Sequence, residues 1–112
     1  MKDAIKIKKA TLGSLKELSL ILDQYRVFYQ QESNPIKAFE FLKDRCRKKQ
    51  SIIYLAILDK KIVGFTQLYP TYSTVSLEKF MILNDLFVTK EYRDNGIATK
   101  LLRKAKKYCI KN

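Results

Sequence analysis

A chain of 112 residues with 46% hydrophobic content can build one modest core, and it is too short for two. It contains no histidine, so zinc sites built on His are excluded and acid–base chemistry near neutral pH falls to carboxylates, Tyr, Cys, Lys, the termini or water. The net charge of +12, from 23 Lys and Arg against 11 Asp and Glu, favours a polyanion without choosing among nucleic acid, anionic lipid and a phosphate-bearing small molecule.

The N-terminal "MKDAIKIKKATLG" lacks the apolar run of a signal sequence, and the longest apolar run, "IIYLAIL" at Ile52–Leu58, is too short to cross a bilayer; a cytoplasmic protein is expected. "AIKIKKA" alternates as a short strand with Ile5 and Ile7 on one face. From Thr11 to about Gln30, Leu12, Leu15, Leu18, Leu22, Tyr25 and Tyr29 recur at helical spacing, with Ser14 and Glu17 as a capping box. After "QQESNP", Asn34 caps a second helix and Pro35 takes its first position, with Ile36, Phe39, Leu42 and Cys46 as the buried stripe.

"SIIYLAIL", the turn "DKK" and "IVGFTQLYP" predict a hairpin, with Pro70 near its far end, and "SLEKFMILNDLFV" predicts a long strand over Ser76–Val88. The polar loop "TKEYRDN" leads into a helix over Gly96–Ile110, buried through Ile97, Leu101, Leu102, Ala105, Tyr108 and Cys109. Cys46 and Cys109 thus fall on helix stripes without metal-ligand spacing, as structural thiols of a reducing compartment. The expected fold is α/β (α+β), a β-α-α-β-β-β-α order forming a sheet with helices packed on it.

A strand, a short loop and a helix start gather unpaired backbone N–H groups at the positive end of a helix dipole, which is a site for an anion. Gly96 lets a phosphate approach the backbone, Ala98 keeps the next contact open, Thr99 adds a hydroxyl and Arg93 a charge. The plainer reading is a glycine at an ordinary helix start. Neither G-x-G-x-x-G nor G-x-x-x-x-G-K-[ST] occurs, so the nucleotide folds that carry those motifs are excluded.

The segment "LNDLFVTKEYRDNGIATKLL" resembles the acetyl-CoA-binding segment of the GNAT superfamily of N-acetyltransferases, whose signature [QR]-x-x-G-x-[GA] is filled by Arg93, Gly96 and Ala98. The order of elements upstream is similar to that family's, with a mostly antiparallel sheet flanked by helices. The resemblance implies acetyl-CoA as co-substrate and no metal. It also implies that the main chain of Leu86, Phe87 and Val88 pairs with the pantetheine arm as an added strand. The amides of Arg93, Asp94, Asn95, Gly96, Ile97, Ala98 and Thr99 would hold the pyrophosphate. Asp85 stands where many members carry the base, and Asn84 would orient the acceptor.

The loops "YQQESN" and "PTYSTVS" correspond to the acceptor side, where Glu32 would attract an amine and Tyr29 or Tyr72 would stack on it. An amino acid, a polyamine, a peptide N-terminus or an aminoglycoside is allowed as acceptor. Relatives continue beyond the last helix with a strand, a helix and a closing hairpin that carry the usual Tyr acid. Those parts have no counterpart here, so a catalytically silent relative is a second expectation. The open strand over 80–88 is then expected to form a homodimer, or to be covered by the rest of a longer chain. A third reading, a nucleic-acid module built on the basic tail "KLLRKAKKYCIKN", lacks any accompanying motif and ranks last.

Overall fold

A computed structural model of the chain describes residues 5–111. Its elements are β1 (Lys6–Lys9), α1 (Leu15–Phe28), α2 (Pro35–Arg47), β2 (Ile52–Leu58), β3 (Lys61–Ser73), β4 (Glu78–Val88) and α3 (Ile97–Lys111), with 3-10 turns at Leu12–Ser14 and Lys90–Tyr92. The order is the expected one. The four strands form an antiparallel sheet in the order β1-β2-β3-β4, so β4 is an edge strand among the described residues.

Two cores lie on the two faces of this sheet, because successive strand residues point to opposite sides. Ile53, Leu55, Phe65 and Phe87 pack with Leu15, Leu18, Leu22 and Leu42 of α1 and α2. Tyr54, Ala56, Val63, Leu68 and Val88 pack with Ile97, Leu101 and Ala105 of α3. A strand buried on both faces reads as a continuous apolar run, which is why "IIYLAIL" shows no alternation.

Local chemistry sets the boundaries. Asn34 caps α2 by accepting the Lys37 N–H at 3.1 Å, and Pro35 occupies the first turn. Both α1 and α2 end in Schellman motifs at the left-handed residues Gln30 and Lys49, closed by Gln31 N–H to the Arg26 carbonyl and Gln50 N–H to the Arg45 carbonyl, each at 2.9 Å. Asp59 and Lys60, both at positive φ, form the two-residue turn between β2 and β3. Gly64 is required by crowding: a Cβ there would lie 2.8 Å from the Phe87 carbonyl oxygen of β4.

Several expected details are corrected. The Ser14–Glu17 capping box is replaced by an earlier one, in which Ser14 Oγ accepts the Thr11 N–H at 2.9 Å, and Glu17 instead accepts the Ile62 N–H at 2.7 Å, tying α1 to the start of β3. Leu12, Tyr29, Ile36 and Leu102 are exposed, as is Cys109, because each stripe is narrower than its pattern of large apolar residues suggested; Ile21 and Ala38 are buried in addition. The β3–β4 hairpin is longer than expected, with Ser73 paired to Glu78, so Pro70 lies inside β3 opposite Met81. Ala4, at the start of the expected first strand, lies outside the described residues.

Candidate active site

At the end of β4 the chain makes a 3-10 turn and enters α3 through Asp94 (φ 65°) and Gly96 (φ 76°). A Cβ at Gly96 meets nothing within 4 Å, so glycine is needed there for its left-handed conformation, and a side chain would stand in open space. Asn95 closes the turn, its Nδ2 donating to the carbonyls of Tyr92 and Arg93, each at 3.2 Å. The result is a groove of about 430 Å³ lined by Leu86, Phe87 and Val88 on one side and by Arg93, Asp94, Gly96, Ile97, Ala98 and Thr99 on the other. Nine of the ten residues expected to hold the cofactor therefore line one groove, and the tenth, Asn95, braces its wall.

The backbone geometry is more selective than the sequence reading. Thr89 N–H donates to the Val63 carbonyl at 2.9 Å, so by the two-residue alternation of an antiparallel ladder Phe87 turns its polar groups to β3, while Leu86 and Val88 turn theirs to the open edge. The Val88 carbonyl accepts Arg93 Nε at 2.8 Å. That bond lays the guanidinium over the rings of Phe28 and Phe87, at 5.4 and 5.3 Å. The Arg93 amide donates to the Lys90 carbonyl at 3.4 Å, which leaves the unpaired amides to the first turn of α3, whose residues Ile97, Ala98 and Thr99 line the groove.

Asp85 lies on the other face of β4. Gln67 pairs with Asp85 and Leu68 with Leu83, which leaves Asn84 as the extra residue of a β-bulge. The Asp85 carboxylate accepts Gln67 Nε2 at 2.8 Å and Asn84 Nδ2 at 3.1 Å. It forms one wall of a cavity of about 470 Å³ between β3, β4 and the two N-terminal helices, with Tyr25, Arg26, Lys37 and Phe41 opposite and Tyr69 beside it. Burial, then the charge of Asp85 and a hydrogen bond to it, push the Tyr25 hydroxyl up from 10.0 to about 12. Burial and the same carboxylate raise Tyr69, with Arg45 acting against them. Gln67 is buried and its Oε1 has no partner among the described residues.

The expected acceptor residues are not gathered. Asn84 lines the cavity, but Tyr29, Glu32 and Tyr72 do not. Tyr29 is 62% exposed and stacks edge-on against Tyr25 and Phe28; Tyr72 is 75% exposed on β3 opposite Lys79. Glu32 contributes its carbonyl, which accepts Arg26 Nη1 at 2.9 Å. Tyr25, Gln67 and Tyr69 escaped the sequence reading because each falls within a core periodicity, and a polar tip at a core position was their available signal. Asp23 also escaped it: buried, it accepts Ser33 Oγ and the Asn34 N–H, each at 2.6 Å, and so organises the α1–α2 loop. Among the described residues no group of three or more His, Cys, Asp or Glu could hold a metal ion, and no helix is long and apolar enough to cross a membrane.

Comparison with known proteins follows the same lines. The model of the Acetyltransferase (GNAT) family matches residues 17–112. A Bacillus subtilis (strain 168) protein named "Uncharacterized N-acetyltransferase YhfO" is 41% identical over 106 residues, 95% of this chain and 71% of that protein. A Haemophilus influenzae protein named "Probable acetyltransferase" is 30% identical over 105 residues, 93% of this chain and 72% of its own. A crystal structure of a probable acetyltransferase superposes with a TM-score of 0.89 at 41% identity, over 95% of this chain and 72% of that one. With the signature residues on one groove at the end of β4, and the match running from α1 through α3, the chain belongs to the GNAT family of acetyltransferases.

Proposed function

We propose that residues 1–112 act as one acetyltransferase domain that moves the acetyl group of acetyl-CoA to a primary amine of a small molecule or peptide in the cytoplasm. One observation carries this reading: across β4, an edge strand among the described residues, the groove at the start of α3 lies on one face and the carboxylate cavity on the other. Leu86 and Asp85 are adjacent residues on opposite faces. An extended pantetheine arm paired with the outward groups of Leu86 and Val88 has its pyrophosphate at the start of α3 and its thioester near the bulge.

The chain's own groups then divide the work. Asp85 takes a proton from the ammonium, directly or through water, so that the neutral amine attacks the thioester carbonyl; the C–N bond forms as the C–S bond breaks, and the second proton shed by the acylated nitrogen passes to the departing thiolate. Gln67 and Asn84, both donating to the same carboxylate oxygen, hold Asp85 in place. Tyr25, held near a pKa of about 12, is a poor proton donor to a thiolate and acts as a positioning group on Asp85.

The test uses two variants with opposite signatures. Gly96→Glu is expected to abolish thermal protection by acetyl-CoA, because it adds a like charge at the groove and a side chain where phosphate approaches. It should cost the fold only about 1–2 kcal/mol of left-handed strain, since a Cβ there meets nothing. Asp85→Asn is expected to keep that protection and lose amine-dependent thiol release by at least about 100-fold. Full protection in the first variant removes the phosphate assignment, and parental turnover in the second removes Asp85 as base.

A further inference from the structure

We infer that the acceptor is an amine that also carries a negatively charged group on an apolar body, and that Arg26 and Lys37 recognise that group. The inference rests on the transfer reading above and narrows its acceptor. Among the side chains that line the cavity, Asp85 is the one acid, whereas Arg26 and Lys37 are both cations. A polycation such as a polyamine or an aminoglycoside would meet Lys37, a lining cation that no carboxylate pairs among the described residues.

Of the two cations, Arg26 is already ion-paired to Asp23 at 3.6 Å and donates to the Glu32 carbonyl at 2.9 Å, so Lys37 is the lining charge left over. No carboxylate lies within ion-pair distance of Lys37 among the described residues. A third cation, Arg45, stacks on Phe41 at 4.7 Å behind the cavity wall, paired to Asp44 at 3.0 Å. Phe41 is 42% exposed, and with Leu22 and Ala38 it offers apolar surface between the cations and Asp85.

An acceptor with its amine at Asp85 and its anion at the helix side satisfies both ends, and a volume of about 470 Å³ suits a small molecule or a peptide terminus.

Initial rates of thiol release from acetyl-CoA test the inference with matched amines: phenylalanine against phenethylamine, phosphoethanolamine against ethanolamine, and spermidine as the polycation. The anionic member of at least one pair is expected to exceed its partner by about tenfold or more in kcat/KM, the size of one lost charge-assisted hydrogen bond. Which pair shows the larger ratio tells a carboxylate from a phosphate.

Lys37→Glu is expected to cancel that preference through KM while acetyl-CoA protects the variant as it does the parent. Lys37 sits in the first turn of α2, where a negative charge suits the helix dipole, so the variant folds. Equal rates within both pairs, a preference for spermidine, or a preference that survives Lys37→Glu overturns the inference and leaves acetyl transfer intact. Thiol release that no amine of the panel raises above the amine-free rate sinks the transfer reading, and the inference with it.

Discussion

Asp85 reaches its cavity because Asn84 is an extra residue in β4, and the bulge turns the next side chain toward Gln67 and Tyr25. Tyr25 in turn records the charge beside it. Its protonated form is favoured in the folded chain, with the pKa raised from 10.0 to about 12, so its contribution to stability is fully present below pH 10.0 and is lost as pH rises through about 12. Tyr25→Phe removes this contribution. Thermal unfolding followed across that window should decline less steeply in the variant than in the parent, and parallel declines would mean that burial and Asp85 together do not raise the Tyr25 hydroxyl. The family resemblance pointed to Asp85, three residues before the end of the strand. Sequence reading missed Tyr25 and Gln67, since periodicity assigns a position to the core without saying what its polar tip touches.

The approach of β3 to β4 depends on Gly64. A methyl group there would press on the Phe87 carbonyl at 2.8 Å and on Val88 Cα at 3.3 Å, and backbone cannot give way as a flexible side chain can. Gly64→Ala is therefore expected to destabilise the chain by about 1–3 kcal/mol. It should also weaken acetyl-CoA protection, because the displaced stretch carries the outward groups of Leu86 and Val88. A denaturant midpoint equal to the parent's would show that the strands separate freely. The elements themselves were legible: "IIYLAIL" and "ILNDLFV" are β-rich runs, Asn34-Pro35 is a helix start, and Gly96 precedes α3. Ends were less so, as in the β3–β4 hairpin, where pairing from Ser73 to Glu78 carries the strands through Pro70.

Across the whole molecule, the open edge of β4 exposes Phe80, Ile82 and Leu83 at 48%, 46% and 39%, with no strand beside it among the described residues. Such an edge pairs readily with a second copy. The parent is expected to show concentration-dependent association in light scattering, and Leu83→Lys to reduce it by placing a charge on the edge. A parent that stays monomeric at high concentration would rule out this pairing. Met81 is half-buried and Phe87 belongs to the core under α1, so Phe80, Ile82 and Leu83 are the accessible apolar residues of this strand.

The order of elements, the glycine at the helix start and the basic excess follow from the sequence, because propensity, periodicity and charge are local or additive properties. The groove followed too, since its residues are neighbours along the chain between Leu86 and Thr99. The cavity did not. Tyr25, Lys37, Gln67 and Asp85 come from four elements, and only the packing of α1 and α2 on the sheet brings them to one space. That packing also leaves Tyr29, Glu32 and Tyr72 outside the residues that line the cavity, because a loop's place in the chain does not fix where its side chains point.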